Sequence, residues 1–147
     1  MRPYCAHSMR DIVIGGIMYA NSHGGQFPDD LITIFDTQEI GNGEWYCIAA
    51  NHGVGVSPDS QTVRADIQAG KVSYIWIGKG VTTSSASDVV VLYEKPENHS
   101  GHGMSIGFVD GHMEWLGPDD TKALLRQIAT GERPVHFHST VNSTTKP

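Results

Sequence analysis

Two apolar-alternating runs, residues 105–109 and 112–116, meet at the dipeptide Asp110-Gly111. Asp-Gly between such runs is a strong hairpin signal, because a two-residue type I′ turn needs positive φ at both central positions. Two-residue closure sets a register in which Val109 faces His112, Phe108 faces Met113, Gly107 faces Glu114 and Ile106 faces Trp115. Side chains alternate along a strand, so Ile106, Phe108, Met113 and Trp115 share the expected core face. Ser105, Gly107, Val109, His112 and Glu114 share the other.

The remaining segments fit around this hairpin. Residues 4–21 read as a helix whose inward stripe is Cys5, Met9, Ile12, Val13, Gly16, Ile17 and Ala20. Gly15-Gly16 weakens a helix by about 1 kcal/mol per glycine, which points to close packing against a sheet. His23-Gly24-Gly25 ends the helix, and Phe27-Pro28 begins an extended exit. Residues 29–40 fit either a short helix or a turn carrying Leu31, Ile34 and Phe35 inward. A short apolar strand is expected at 45–49, a polar loop with at most one helical turn at 51–69, and strands at 71–78 and 89–93. Residues 117–131 carry the marks of a helix: Pro118 in the first turn, Asp119 and Asp120 at the positive end, an inward Leu124, Leu125, Ile128 stripe, and Gly131 as the stop. The fold class is therefore α+β, with an N-terminal helix packed across an antiparallel sheet of about four strands and a C-terminal helix. One globular head is expected over residues 1–134, with 135–147 a disordered Ser/Thr tail.

With 147 residues and a net charge of −6, the chain has neither the basic clusters nor the balance of a nucleic-acid binder. No apolar run reaches the length of a membrane span, and no charged-then-apolar leader is present in the sequence. Its two cysteines, Cys5 and Cys47, form no CxxC and have no histidine at zinc-ligand spacing. They are compatible with one disulfide or with two buried thiols.

The chemically richest segment is the loop Asn98-His99-Ser100-Gly101-His102-Gly103 together with the hairpin. His99, His102 and His112, with Glu94 and Glu114, form a candidate zinc, copper or nickel set, because imidazole and carboxylate are good ligands for these ions. Calcium would draw on Asp88, Glu94, Glu97 and Asp110, although these make no D-x-D-x-D-G loop. His136 and His138 read as an exposed tail pair. Asp110 already has a structural role in the turn. Nucleophilic catalysis finds no Gly-x-Ser-x-Gly elbow and no cysteine with a suitably placed histidine, and there is no phosphate-binding glycine motif.

VLYEKPENHSGHGMSIGFVDGHMEWL resembles the C-terminal signature of the prepilin-type processing-associated H-X9-DG proteins. These are pilin-like chains related to the major pseudopilins of type II secretion. In that signature a histidine precedes a strand ending in Asp-Gly; here His99 lies eleven positions before Asp110. The segment CAHSMRDIVIGGIMYANSHGGQFPDDL resembles the family's helix-to-loop region, and residues 74–78 with Tyr93-Glu94-Lys95-Pro96 match a third. The resemblance implies a structural, non-enzymatic head of a type II secretion or type IV pilus-like filament. Its partners would be other pilin-like subunits or secretion-system proteins. It also implies a periplasmic or surface location, where a disulfide could persist, and anchoring through an N-terminal membrane helix that precedes Met1. The competing expectation is a small metal-binding domain using the hairpin histidines, with a hydrolase third.

Overall fold

The computed structural model describes residues 3–47 and 58–138. Helix α1 (Pro3–Asn21) buries Cys5, Met9, Ile12, Val13 and Ala20, the stripe that the three- and four-residue spacing marks out. Gly15 and Gly16 sit where a neighbour presses in. A Cβ on Gly16 would come within 2.8 Å of the Trp76 ring, and one on Gly15 within 2.9 Å of Ile40. The close approach falls partly on the sheet and partly on Ile34 of the second helix, at 3.1 Å, and on Ile40 beyond its end.

That helix, α2 (Leu31–Thr37), starts where the Asp30 carboxylate accepts the Thr33 N–H. Asn42–Trp45 is a single 3-10 turn rather than the expected strand, and the rest of that expectation, beyond Cys47, lies outside the described residues. Trp45 is nevertheless fully buried, and its carbonyl accepts the Ser73 N–H. Helix α3 (Ser60–Ala69) is longer than the one turn expected there. Asp59 caps its start by accepting the Thr62 N–H, and Gly70 closes it in the left-handed conformation at φ 72°.

Strands β1 (Tyr74–Trp76), β2 (Val89–Glu94), β3 (Met104–Phe108) and β4 (Met113–Leu116) form an antiparallel sheet in chain order. Helix α4 (Pro118–Ala129) follows, and β5 (Val135–His136) then pairs with the start of β2, on the edge whose other end carries β1. Val135 and His136, read from the sequence as the start of the tail, thus pair with the sheet. Val135 and Phe137 are buried against β2 and α4, so the ordered fold runs to the end of the described residues. Residues 139–147 of the expected tail lie outside them.

The sheet separates two apolar layers. Helix α1 packs with Val91 and Leu92 on one face, while Leu124 of α4 packs with Val90, Tyr93, Ile106 and Phe108 on the other. Strand β2 serves both, and every one of its residues is buried. An irregularity between Val90 and Leu92 shifts its register against β3, which turns both Val91 and Leu92 toward α1.

The hairpin forms, but with a different turn. Phe108 and His112 close it: the Phe108 N–H donates to the His112 carbonyl at 3.0 Å and the Gly111 N–H to the Phe108 carbonyl at 2.9 Å. Val109, Asp110 and Gly111 make a three-residue loop, with Gly111 taking the positive φ of 93° that such loops need. The pairs are thus Met104 with Leu116, Ser105 with Trp115, Ile106 with Glu114 and Gly107 with Met113. This one-residue slip moves the whole of β4 to the opposite face from the one expected. The reason is the second layer: with helices on both sides, Leu116 fills the α4 side while Met113 and Trp115 fill the α1 side.

Gly103 enters β3 at φ 139°, where a Cβ would overlap the Leu116 carbonyl oxygen, whereas Gly101, at φ 82°, faces open space. Gly103→Ala is expected to cost at least about 2–3 kcal/mol through strain and backbone overlap, and Gly101→Ala about 1 kcal/mol. Denaturant titration of the two variants checks the order; equal losses would contradict this geometry.

Candidate functional site

The candidate ligand set divides among three places. Glu94, at the end of β2, and His99, at the end of the 3-10 turn Pro96–His99, meet in the interior. His102 is exposed on the loop, while exposed His112 and half-buried Glu114 sit on the α4 side of the sheet near β5. The five residues therefore form no common metal site.

The buried group is built from three directions. Strand alternation turns Glu94 toward α1, since it follows Leu92 by two residues. Its Oε1 accepts the Ser105 N–H at 2.6 Å, and its Oε2 lies 2.8 Å from His99 Nε2. Both side chains are almost completely buried, at 0% and 1% exposed. Asn98 fixes the preceding turn by donating its Nδ2 proton to the Ser73 carbonyl at 2.8 Å. The Trp115 ring meets His99 edge-to-face at 5.2 Å between centroids. Burial and the nearby Glu94 charge push the Tyr74 hydroxyl well above its ordinary range.

Cys5 from the first turns of α1 and Cys47 complete the cluster. They form a disulfide with Cα atoms 5.2 Å apart, settling the pairing that the sequence leaves open. Cys47 Sγ lies 3.8 Å from His99 Nε2, and the Cys47 N–H donates to Ser73 Oγ at 2.8 Å. One ligand atom each from Cys5, Cys47, Glu94 and His99 lies within 4.8 Å of the others. With the disulfide closed the sulfurs cannot act as thiolates, so in this state the cluster is no metal centre. The sequence names all four residues but gives no sign that the cysteines and the carboxylate–imidazole pair meet, because 52 positions separate Cys47 from His99.

A second polar group lies at the surface. Asp88 receives His136 Nδ1 at 2.7 Å and His138 Nε2 at 2.9 Å, and both contacts hold its carboxyl below the ordinary range, the His136 hydrogen bond most. Asp110 accepts from the backbone N–H and the ring of His112; these contacts outweigh the burial that acts against them and lower its pKa. The four acids considered for calcium are dispersed: Glu94 is with His99, Asp88 with His136 and His138, Asp110 with His112, and Glu97 is exposed.

Open grooves lie elsewhere. One of about 520 Å³ lies between α2, α3 and β1, lined by Asp29, Leu31, Ile67, Tyr74, Trp76 and Lys95, and none of its described lining residues is a histidine, cysteine or serine. Among the described residues no helix is long and apolar enough to cross a membrane. A persistent disulfide is consistent with an oxidising compartment. No protein-family model, curated protein or solved structure matches the chain.

Removing one partner of a fully buried, hydrogen-bonded carboxylate–imidazole pair leaves the other unsatisfied, at about 2–3 kcal/mol. Glu94→Ala is expected in that range, whereas Glu94→Gln, which keeps an acceptor for Ser105 and a group for His99, should lose about 1 kcal/mol. Denaturation midpoints of the two variants test this. At the surface the sign follows from a depressed carboxyl: the Asp88 contribution is present above pH 4, about the unfolded value, and is lost as pH falls through the lower folded value. Protection of the Phe137 amide, which donates to the Asp88 carbonyl, should fall on that acid limb and be reduced at neutral pH in Asp88→Asn. Protection that is unchanged in the variant would contradict the contact's role.

Proposed function

We propose that this domain is the structural, non-enzymatic head of a pilin-like subunit in a type II secretion or type IV pilus-like filament. The observation that carries the reading is the double character of α1. One side of the helix is sealed against the sheet by Met9, Ile12 and Val13, while Ile14 and Met18 on the other side are the large exposed apolar side chains among the described residues, at 38% and 57%. A groove lined by Asp11, Ile14, Gly15, Met18, Gln38 and Ile40 runs beside them. An apolar pair on the outside of an N-terminal helix suits packing against neighbouring subunits.

The resemblance of the hairpin segment and of the α1-to-loop segment to H-X9-DG proteins supports the same reading, as does the helix-on-sheet architecture. The disulfide is consistent with a periplasmic or surface location, and an inner-membrane anchor before assembly is what the resemblance implies. A hydrolase is disfavoured because the buried imidazole, His99, faces a closed disulfide and a carboxylate, and no cysteine among the described residues is a free thiol.

The test is photo-crosslinking in cells that make the protein from its complete gene. A benzoylphenylalanine at Met18 should give a ladder of multimers, and one at exposed Lys122 on α4 should not. A probe at Met18 that yields only monomer, in cells where the protein is abundant, overturns the filament reading.

A further inference from the structure

The buried cluster poses an energetic question. A disulfide is apolar and packs well against hydrocarbon, yet here its neighbours are an ionisable carboxylate and an imidazole taken out of water. Such groups are costly to bury, and an apolar pair of similar volume is often as stable or more so. We infer that reduction of Cys5–Cys47 converts this cluster into a tetrahedral divalent-metal site, Cys5, Cys47, His99 and Glu94, suited to zinc.

The chemistry of the donors favours that ion. Two thiolates and an imidazole are the characteristic zinc ligands, and a carboxylate oxygen completes four-coordination; calcium would need six or more oxygens. Zinc–sulfur bonds of about 2.3 Å in a tetrahedron set the two sulfurs about 3.8 Å apart. Cα atoms 5.2 Å apart accommodate that after rotation about the Cα–Cβ bonds. The Cys47 Sγ to His99 Nε2 distance, 3.8 Å, is already close to a ligand–ligand edge. Glu94 Oε1 is held by the Ser105 N–H, which leaves Oε2 as the single coordinating oxygen and supplies the outer hydrogen bond that metal-bound carboxylates need. Nε2 of His99 and Oε2 of Glu94, now hydrogen-bonded to each other, would both turn to the ion.

The steps balance. A dithiol reductant passes two electrons and two protons to the Cys5–Cys47 bond and becomes a disulfide itself, leaving two thiols. Zinc then displaces both thiol protons to solvent, and the proton shared between His99 Nε2 and Glu94 Oε2 moves to His99 Nδ1 or leaves with them, which frees Nε2 and Oε2 to bind the ion. An oxidant of the disulfide class reverses the first step and expels the metal. The site would hold its disulfide in an oxidising compartment and its metal in a reducing one, independently of whether the domain builds a filament.

The test uses the full chain, reduced anaerobically by a phosphine that does not compete for metal. Native mass spectrometry with added zinc gives stoichiometry, cobalt(II) absorption reports the ligands, and near-ultraviolet circular dichroism reports the fold. The oxidised chain should take up no stoichiometric zinc. The reduced chain should bind one ion per chain while folded, and cobalt should give thiolate charge-transfer bands with intense tetrahedral d–d absorption. Affinity should fall at least tenfold in Glu94→Gln and further in His99→Ala, and be unaffected by His136→Ala with His138→Ala. A reduced chain that takes no zinc, that binds it only unfolded, or that binds equally well without His99 and Glu94 overturns the inference. Zinc lost with the surface histidines instead overturns it as well.

Discussion

Burial of β2 on both faces is the constraint to which the other elements answer. A strand running Val-Val-Val-Leu-Tyr-Glu has no polar side to offer water, so both faces must be covered. Helix α1 covers one and α4 the other, and β5 returns to protect the edge at Val89 and Val90 that β1 does not reach. Glu94 ends this strand as a charge with nowhere to go. Its oxygens are satisfied by the Ser105 N–H and by His99, which ties the loop before β3 to the end of β2. The disulfide then joins the start of α1 to Cys47 at the same point. Three segments far apart in sequence are thereby fixed around one buried carboxylate.

That two-sided sheet also explains where the sequence was readable and where it was not. The α1 stripe, β2, the hairpin strands and α4, with Pro118 and two acids in its first turn, follow from period and punctuation, because each is set by its own residues. The hairpin register does not. Alternation in residues 105–109 and 112–116 looks one-sided when His112 and Glu114 are taken as the solvent face. The structure instead mixes His112 and Glu114 with Ile106, Phe108 and Leu116 on the α4 face, and turns Met113 and Trp115 toward α1. A one-residue choice between turn types decides this, and the packing of helices on both faces makes the choice. Likewise α3 was hidden by a polar composition: only Val63 is buried on it, and its clearest signal was the Asp59 cap rather than a stripe.

The candidate site was legible as a list but not as a place. Glu94, His99, Cys5 and Cys47 all stand out by residue type, yet three of the residues grouped with Glu94 and His99 in sequence, His102, His112 and Glu114, lie elsewhere. Proximity along the chain misled because a strand and a turn carry neighbouring residues to opposite faces. His99 points inward from the end of a 3-10 turn, while His102, past the left-handed residues Ser100 and Gly101, points out. Long-range closure by Cys5 and Cys47 is a property of the packed helix, and no local pattern encodes it.

The two polar clusters differ in what the fold invests in them. Around Asp88, solvent reaches His136 and His138, so the contacts cost little to make and contribute little beyond holding a terminal strand. Around Glu94, water is excluded, and the same kinds of groups exact a desolvation penalty that only good geometry offsets. A domain needing no more than a clip at that point could use the disulfide with hydrocarbon around it. That an imidazole and a carboxylate stand beside the sulfurs instead, at ligand-to-ligand distances, is what distinguishes this corner from an ordinary cross-linked core.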